Sequence, residues 1–90
     1  MSSYQVGQII YSKCGRDKSK PFIILDIKDN YLYLVDGDLR KLENPKKKKM
    51  KHVQLTKFVD ENIKDIILNR KYLLDSDVRT AILKYNSIKL

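Results

Sequence analysis

The chain has 90 residues, 42% of them hydrophobic and 33% charged, and a formal net charge of +8. These values exclude a disordered polyelectrolyte and describe one small folded unit whose modest core leaves little room for an enclosed active site. The single Cys14 excludes an internal disulfide and a multi-cysteine zinc site. No apolar run approaches the ~18 residues of a membrane helix, and nothing at the N-terminus resembles a signal peptide, so the expected location is cytoplasmic.

Residues 7–12 (GQIIYS) begin with a glycine and carry Ile9, Ile10 and Tyr11, a pattern that predicts the first strand. A loop from Lys13 to Pro21 follows, broken by Gly15 and Pro21. The strongest strand signal is the pair FIILDIK (22–28) and YLYLVD (31–36), joined by Asp29-Asn30, which tolerate the positive φ of a tight turn. Ile23, Leu25 and Ile27 are expected on one face of the earlier strand. In the later one, Leu32 and Leu34 alternate with Tyr31, Tyr33 and Val35. Both faces are largely apolar, so both should be covered. Gly37-Asp38 marks a second turn, Leu39 to Leu42 a short fourth strand, and Met50 to Leu55 a fifth, with a lysine-rich loop between the last two.

From residue 57 the period becomes helical, with Val59, Ile63, Ile66, Ile67 and Arg70 on one stripe and Asp60 and Glu61 at its start. Asp75 and Ser76 are candidate N-caps of a second helix, on which Val78, Ile82 and Tyr85 form a stripe beside Ala81. The expected fold is mainly β with a C-terminal α part. Five short, closely spaced strands suggest a small barrel over residues 1–56, because closure removes sheet edges. The two short helices of residues 57–90 would pack on its side as part of one compact unit.

The charge sits in two segments. Residues 13–20 carry a net +3, from Lys13, Arg16, Lys18 and Lys20 against Asp17. Residues 40–52 carry +6, from Arg40, Lys41, Lys46, Lys47, Lys48, Lys49 and Lys51 against Glu43, and the rest of the chain sums to −1. Two basic loops on one small fold suggest a surface for a polyanion, with nucleic acid the leading candidate. Lysines make point-charge contacts with phosphate, whereas Arg16, Arg40 and His52 are better suited to shape- or base-dependent contacts. Each signal also has a plainer explanation. The lysine run would serve as a solvated loop, Tyr11, Tyr31 and Tyr33 as half-buried strand residues in place of base-stacking platforms, and Cys14 as an incidental thiol. Asp26, Asp29, Asp36 and Asp38 are explained by turn chemistry. No nucleophile–histidine arrangement, phosphate-cradling glycine loop or metal-ligand cluster stands in the sequence, so neither catalysis nor a cofactor is expected.

Three stretches, VGQIIYSKCGRDKSKPFIILDI, YLYLVDG and LRKLENPKKKKMKHVQLT, together resemble the KOW-motif family of ribosomal and ribosome-associated proteins. The motif itself is a glycine-started strand, a basic loop around Gly15 and an alternating hydrophobic strand. The LVDG turn (34–37) and KHVQLT (51–56) are similar to its large-subunit ribosomal branch, and the whole chain is similar to small bacterial KOW-domain RNA-binding proteins. Many members carry a further glycine where this chain has Ser19-Lys20-Pro21. The resemblance implies a five-stranded barrel of the Src-homology-three type and an RNA-facing basic loop, with ribosomal RNA or the ribosome as partner. A protein-docking module of the translation or transcription machinery is the alternative. Membrane attachment is disfavoured because no basic amphipathic helix accompanies the charge.

Overall fold

A computed structural model of the chain describes residues 4–13, 15 and 19–88. Among these residues five strands, β1 (Gln8–Ser12), β2 (Pro21–Lys28), β3 (Tyr31–Val35), β4 (Lys46–Lys49) and β5 (Val53–Val59), precede two helices, α1 (Glu61–Leu68) and α2 (Asp75–Ile88). The strands form one antiparallel sheet in the order β4-β3-β2-β1-β5. Its two edge strands are consecutive in the chain, linked only by a 3-10 turn at Met50–His52. That turn is tied to the rest of the sheet at both ends. The Met50 N–H donates to the Asn30 carbonyl at 2.9 Å, and the Lys13 N–H donates to that of His52 at 2.8 Å.

Each face of the sheet carries a buried core, as the apolar alternation predicts. On one face Ile9, Ile23 and Val35 pack with Ile63 of α1 and Val78 and Ala81 of α2. On the other, Ile10, Phe22, Ile24, Leu32, Leu34 and Val53 form a second core, flanked by Tyr4, Val6, Ile27, Met50 and Leu55. The expected stripe of α2 is present, with Ile82 and Tyr85 beside Val78 and Ala81. One expected face is not. The β2–β3 register slips between Ile24 and Asp26, a bulge that leaves Leu25 in the helix-facing core and turns Ile27 to the opposite one. One extra residue in a strand of period two reverses every side chain beyond it.

Three other expected elements are corrected by the structure. Leu39 to Leu42 is not a strand. The Asp36 carboxylate accepts the N–H groups of Asp38 and Arg40 at 2.9 and 2.8 Å, which folds the segment into a turn. The fourth strand is instead the lysine run, paired along β3 from Tyr31↔Lys49 to Leu34↔Lys46. The fifth strand begins at Val53 and continues through Val59, so Met50 to His52 form the turn before it and Val59 is not helical. Asp60 then caps α1, accepting the Ile63 N–H at 2.9 Å. Asp75 and Ser76 lie inside the first turn of α2, and Asp77 accepts the Leu74 N–H at 3.0 Å, one half of a capping box.

Both helices dock on glycines. Gly7 (φ +83°) donates to the Ile24 carbonyl and accepts the Asp60 N–H, and a Cβ there would lie 3.0 Å from Asp60 O and Lys64 N. Gly37 (φ +77°) lies under the start of α2, where a Cβ would meet Asp75 O at 2.5 Å. Around it the Leu42 N–H donates to Asp75 Oδ1 at 2.8 Å, and Arg79 Nη1 donates to the Gly37 carbonyl at 2.6 Å. Tyr85 closes the far side, its ring against Phe58 and its hydroxyl 3.1 Å from that of Tyr11.

Candidate nucleic-acid interface

The register of β4 decides what its four lysines can do. Directly paired residues of an antiparallel ladder project to the same face. Lys46 and Lys48 oppose Leu34 and Leu32, so they share the inner face with the second core. Both are half-buried. Lys47 and Lys49 oppose Tyr33 and Tyr31 on the outer face and are exposed. The same rows extend into β2, where Lys28 opposes Tyr31 and Asp26 opposes Tyr33. The outer face beyond the helices therefore carries Lys28, Tyr31 and Lys49 in one row and Asp26, Tyr33 and Lys47 in the next. Lys47 Nζ lies 4.4 Å from the centroid of the Tyr31 ring, within cation–π range.

Main-chain direction follows the same alternation. Since Met50 donates to Asn30, the hydrogen-bonded pairs with β3 fall at Lys48 and Lys46. The main-chain groups of Lys47 and Lys49 therefore point outward, away from β3, along an edge that no other described strand covers.

The 3-10 turn continues this surface around the corner. Lys51 and His52 are exposed on it, and the hydrogen bond from the Lys13 N–H to the His52 carbonyl brings exposed Lys13 alongside. His52 thus lies in a turn rather than a strand. Beside it, Asn30, Tyr31, Lys49, Met50 and Lys51 line a cleft of about 430 Å³. The turn is held from within by Tyr4, whose hydroxyl donates to the Met50 carbonyl at 3.2 Å.

The structure thus brings Lys13, Lys47, Lys49, Lys51 and His52 together and sets other candidates apart. Arg40 and Lys41 belong to the turn of residues 36–42 at the far end of β3, roughly 13 Å along the strand from Tyr31. Lys20 joins Asp36, Asp38 and Arg79 around a groove beside α2, a surface of mixed charge. Arg16 and Lys18, with Cys14, lie outside the described residues. The picture of two basic loops is therefore replaced on one side, because Lys46 to Lys49 form a strand. Lys28 was missed by sequence reasoning, although its place was legible: residues flanking a two-residue turn face each other, which puts Lys28 opposite Tyr31.

The acidic groups of this face are Asp26, whose carboxylate accepts the Ile27 N–H at 2.8 Å, and Asp29 at the turn, with φ +55°. Among the described residues no helix is long and apolar enough to cross a membrane. Comparison with known proteins finds no family model and no curated sequence matching this chain.

Proposed function

We propose that this chain is a non-catalytic RNA-binding protein of the cytoplasm, contacting structured RNA through the outer face of β2–β4 and the adjoining Met50–His52 corner. The observation that carries the reading is the β4 register, which places Lys47 and Lys49 beside Lys28 and two tyrosines, continuous with Lys51, His52 and Lys13. Lysines held on a sheet neutralise phosphates and release counterions with little loss of main-chain freedom on binding. Resemblance to the KOW-motif family makes ribosomal RNA, or the ribosome, the target we favour. The finer fold assignment belongs to the same proposal. An antiparallel order β4-β3-β2-β1-β5 with edge strands joined by one short turn suits a barrel of the Src-homology-three type.

The test compares Lys47→Ser/Lys49→Ser with Lys46→Ser/Lys48→Ser for binding to an RNA hairpin across a salt series. The outer pair should account for about two phosphate contacts and lower the salt slope by roughly 1.4–1.8 log units, with the inner pair well below that. Equal losses from the two double variants would remove the outer face from the binding surface.

A specific observation favours a second reading, a protein-docking module. Leu39 and Leu83, 71% and 68% exposed, flank the groove beside α2 together with Pro21 and Ile82. Under that reading, Leu39→Ser/Leu83→Ser would abolish partner capture while leaving RNA affinity untouched.

A further inference from the structure

We propose that the cleft beside the 3-10 turn is the seat of a single unpaired nucleotide, so that the RNA recognised carries a bulged or looped-out base. The inference rests on the RNA-binding reading above and deepens it. At about 430 Å³ the cleft falls within the range of small-ligand sites, about 300–1,000 Å³. A stacked base pair cannot enter such a depression, whereas an unstacked base can. The wall composition suits that guest. Tyr31 offers a ring for stacking and Met50 a soft thioether, while Lys49 and Lys51 stand ready for the flanking phosphates. The Asn30 side chain supplies an amide donor and acceptor able to read a base edge.

The walls are fixed before any ligand arrives. The Met50 N–H is bonded to the Asn30 carbonyl, and the Met50 carbonyl accepts the Tyr4 hydroxyl, so the turn cannot swing away from the hairpin tip. Lys47 covers one face of the Tyr31 ring at 4.4 Å. A stacked base uses the other face or displaces that ammonium toward its own phosphate. Preorganisation of this kind lowers the ordering cost of binding and favours an extruded base over a flexible strand.

The experiment uses the full chain and two RNA hairpins of equal length and charge. One is fully paired, and the other carries a single unpaired 2-aminopurine in its stem. The bulged hairpin should bind about tenfold more tightly at near-physiological salt, and 2-aminopurine emission should change on binding. Tyr31→Ala should erase both effects. Asn30→Ala, at an exposed turn position, should reduce discrimination among the four bulged bases, so the inference does not depend on how well the tyrosine variant folds. Equal binding of the two hairpins by the wild-type chain, or a preference that survives Tyr31→Ala, overturns the nucleotide seat and leaves the RNA reading standing. Failure to bind either hairpin even at low salt overturns both.

Discussion

Replacing Gly37 with alanine separates two costs that glycines usually combine. Gly37 and Gly15 both have a positive φ, at +77° and +85°. Placing an L side chain there costs about 1–2 kcal/mol, partly offset by a stiffer unfolded chain. At Gly15 nothing lies within 4 Å of the added Cβ, so that is the whole cost. At Gly37 the Cβ would meet Asp75 O at 2.5 Å and Arg79 N at 3.0 Å, both main-chain atoms of α2. The helix must therefore retreat. Retreat loosens the Leu42–Asp75 and Arg79–Gly37 hydrogen bonds and the seating of Val78 and Ala81 in the core. Two hydrogen bonds to charged groups, at about 1.5–3 kcal/mol each if lost and here only weakened, and a partly opened core add to the backbone strain and place Gly37→Ala at about 3–5 kcal/mol in total. In a domain of this size, each kcal/mol moves the melting temperature by roughly 4–8 °C. Thermal melts followed by circular dichroism should rank Gly37→Ala below Gly7→Ala, and Gly7→Ala below Gly15→Ala. If Gly37→Ala and Gly15→Ala melt together, α2 is not seated on this turn and the docking argument fails.

Two further predictions concern the core and the first helix. Asp60→Ala should lower stability by about 1–2 kcal/mol through loss of the cap on the Ile63 N–H, with Asp60→Asn recovering most of it; chemical denaturation measures both, and an unchanged midpoint would show that the cap contributes nothing. Ile24→Asp should abolish cooperative melting, because Ile24 is fully buried among apolar partners. Leu34→Asp should be milder, since half-buried Lys46 stands directly opposite across the ladder, and the reverse order would show that Lys46 cannot reach the inner face.

Legibility in the sequence followed the strength of local signals. The β2–β3 hairpin was plain because Asp29-Asn30 punctuates two β-rich runs, and the α2 stripe because its apolar spacing has no competitor. The bulge at Leu25 carries no local mark; it comes from how β2 serves two neighbours along its length, pairing with β1 at one end and β3 at the other. The lysine strand was illegible for a related reason. Lysine is depleted in strands, and four in a row predict a loop. The exposed edge of β3 imposes the extended conformation, while the segment that looked like a strand, LRKL, is taken by the Asp36 carboxylate into a turn. Once β4 is recognised, the candidate site can be sorted by face, which no composition argument could do.

A lysine edge also has a use that involves no ligand, since charged edges deter the addition of further strands. That explanation and the binding reading do not compete for the same atoms. Consecutive lysines of a strand project to opposite faces, so the run divides into two pairs whose members stand about 7 Å apart. A second copy offering the same edge would set lysine against lysine on both faces, and either pair is enough to repel it. Only the outer pair, Lys47 and Lys49, faces Tyr31, Tyr33 and Lys28 and runs on to Lys51. Edge protection therefore depends on the number of charges, whereas the proposed binding depends on which face they occupy. Two double variants of equal net charge distinguish these causes: similar tendencies to associate with unequal RNA affinities would mean that both act, each through its own geometry.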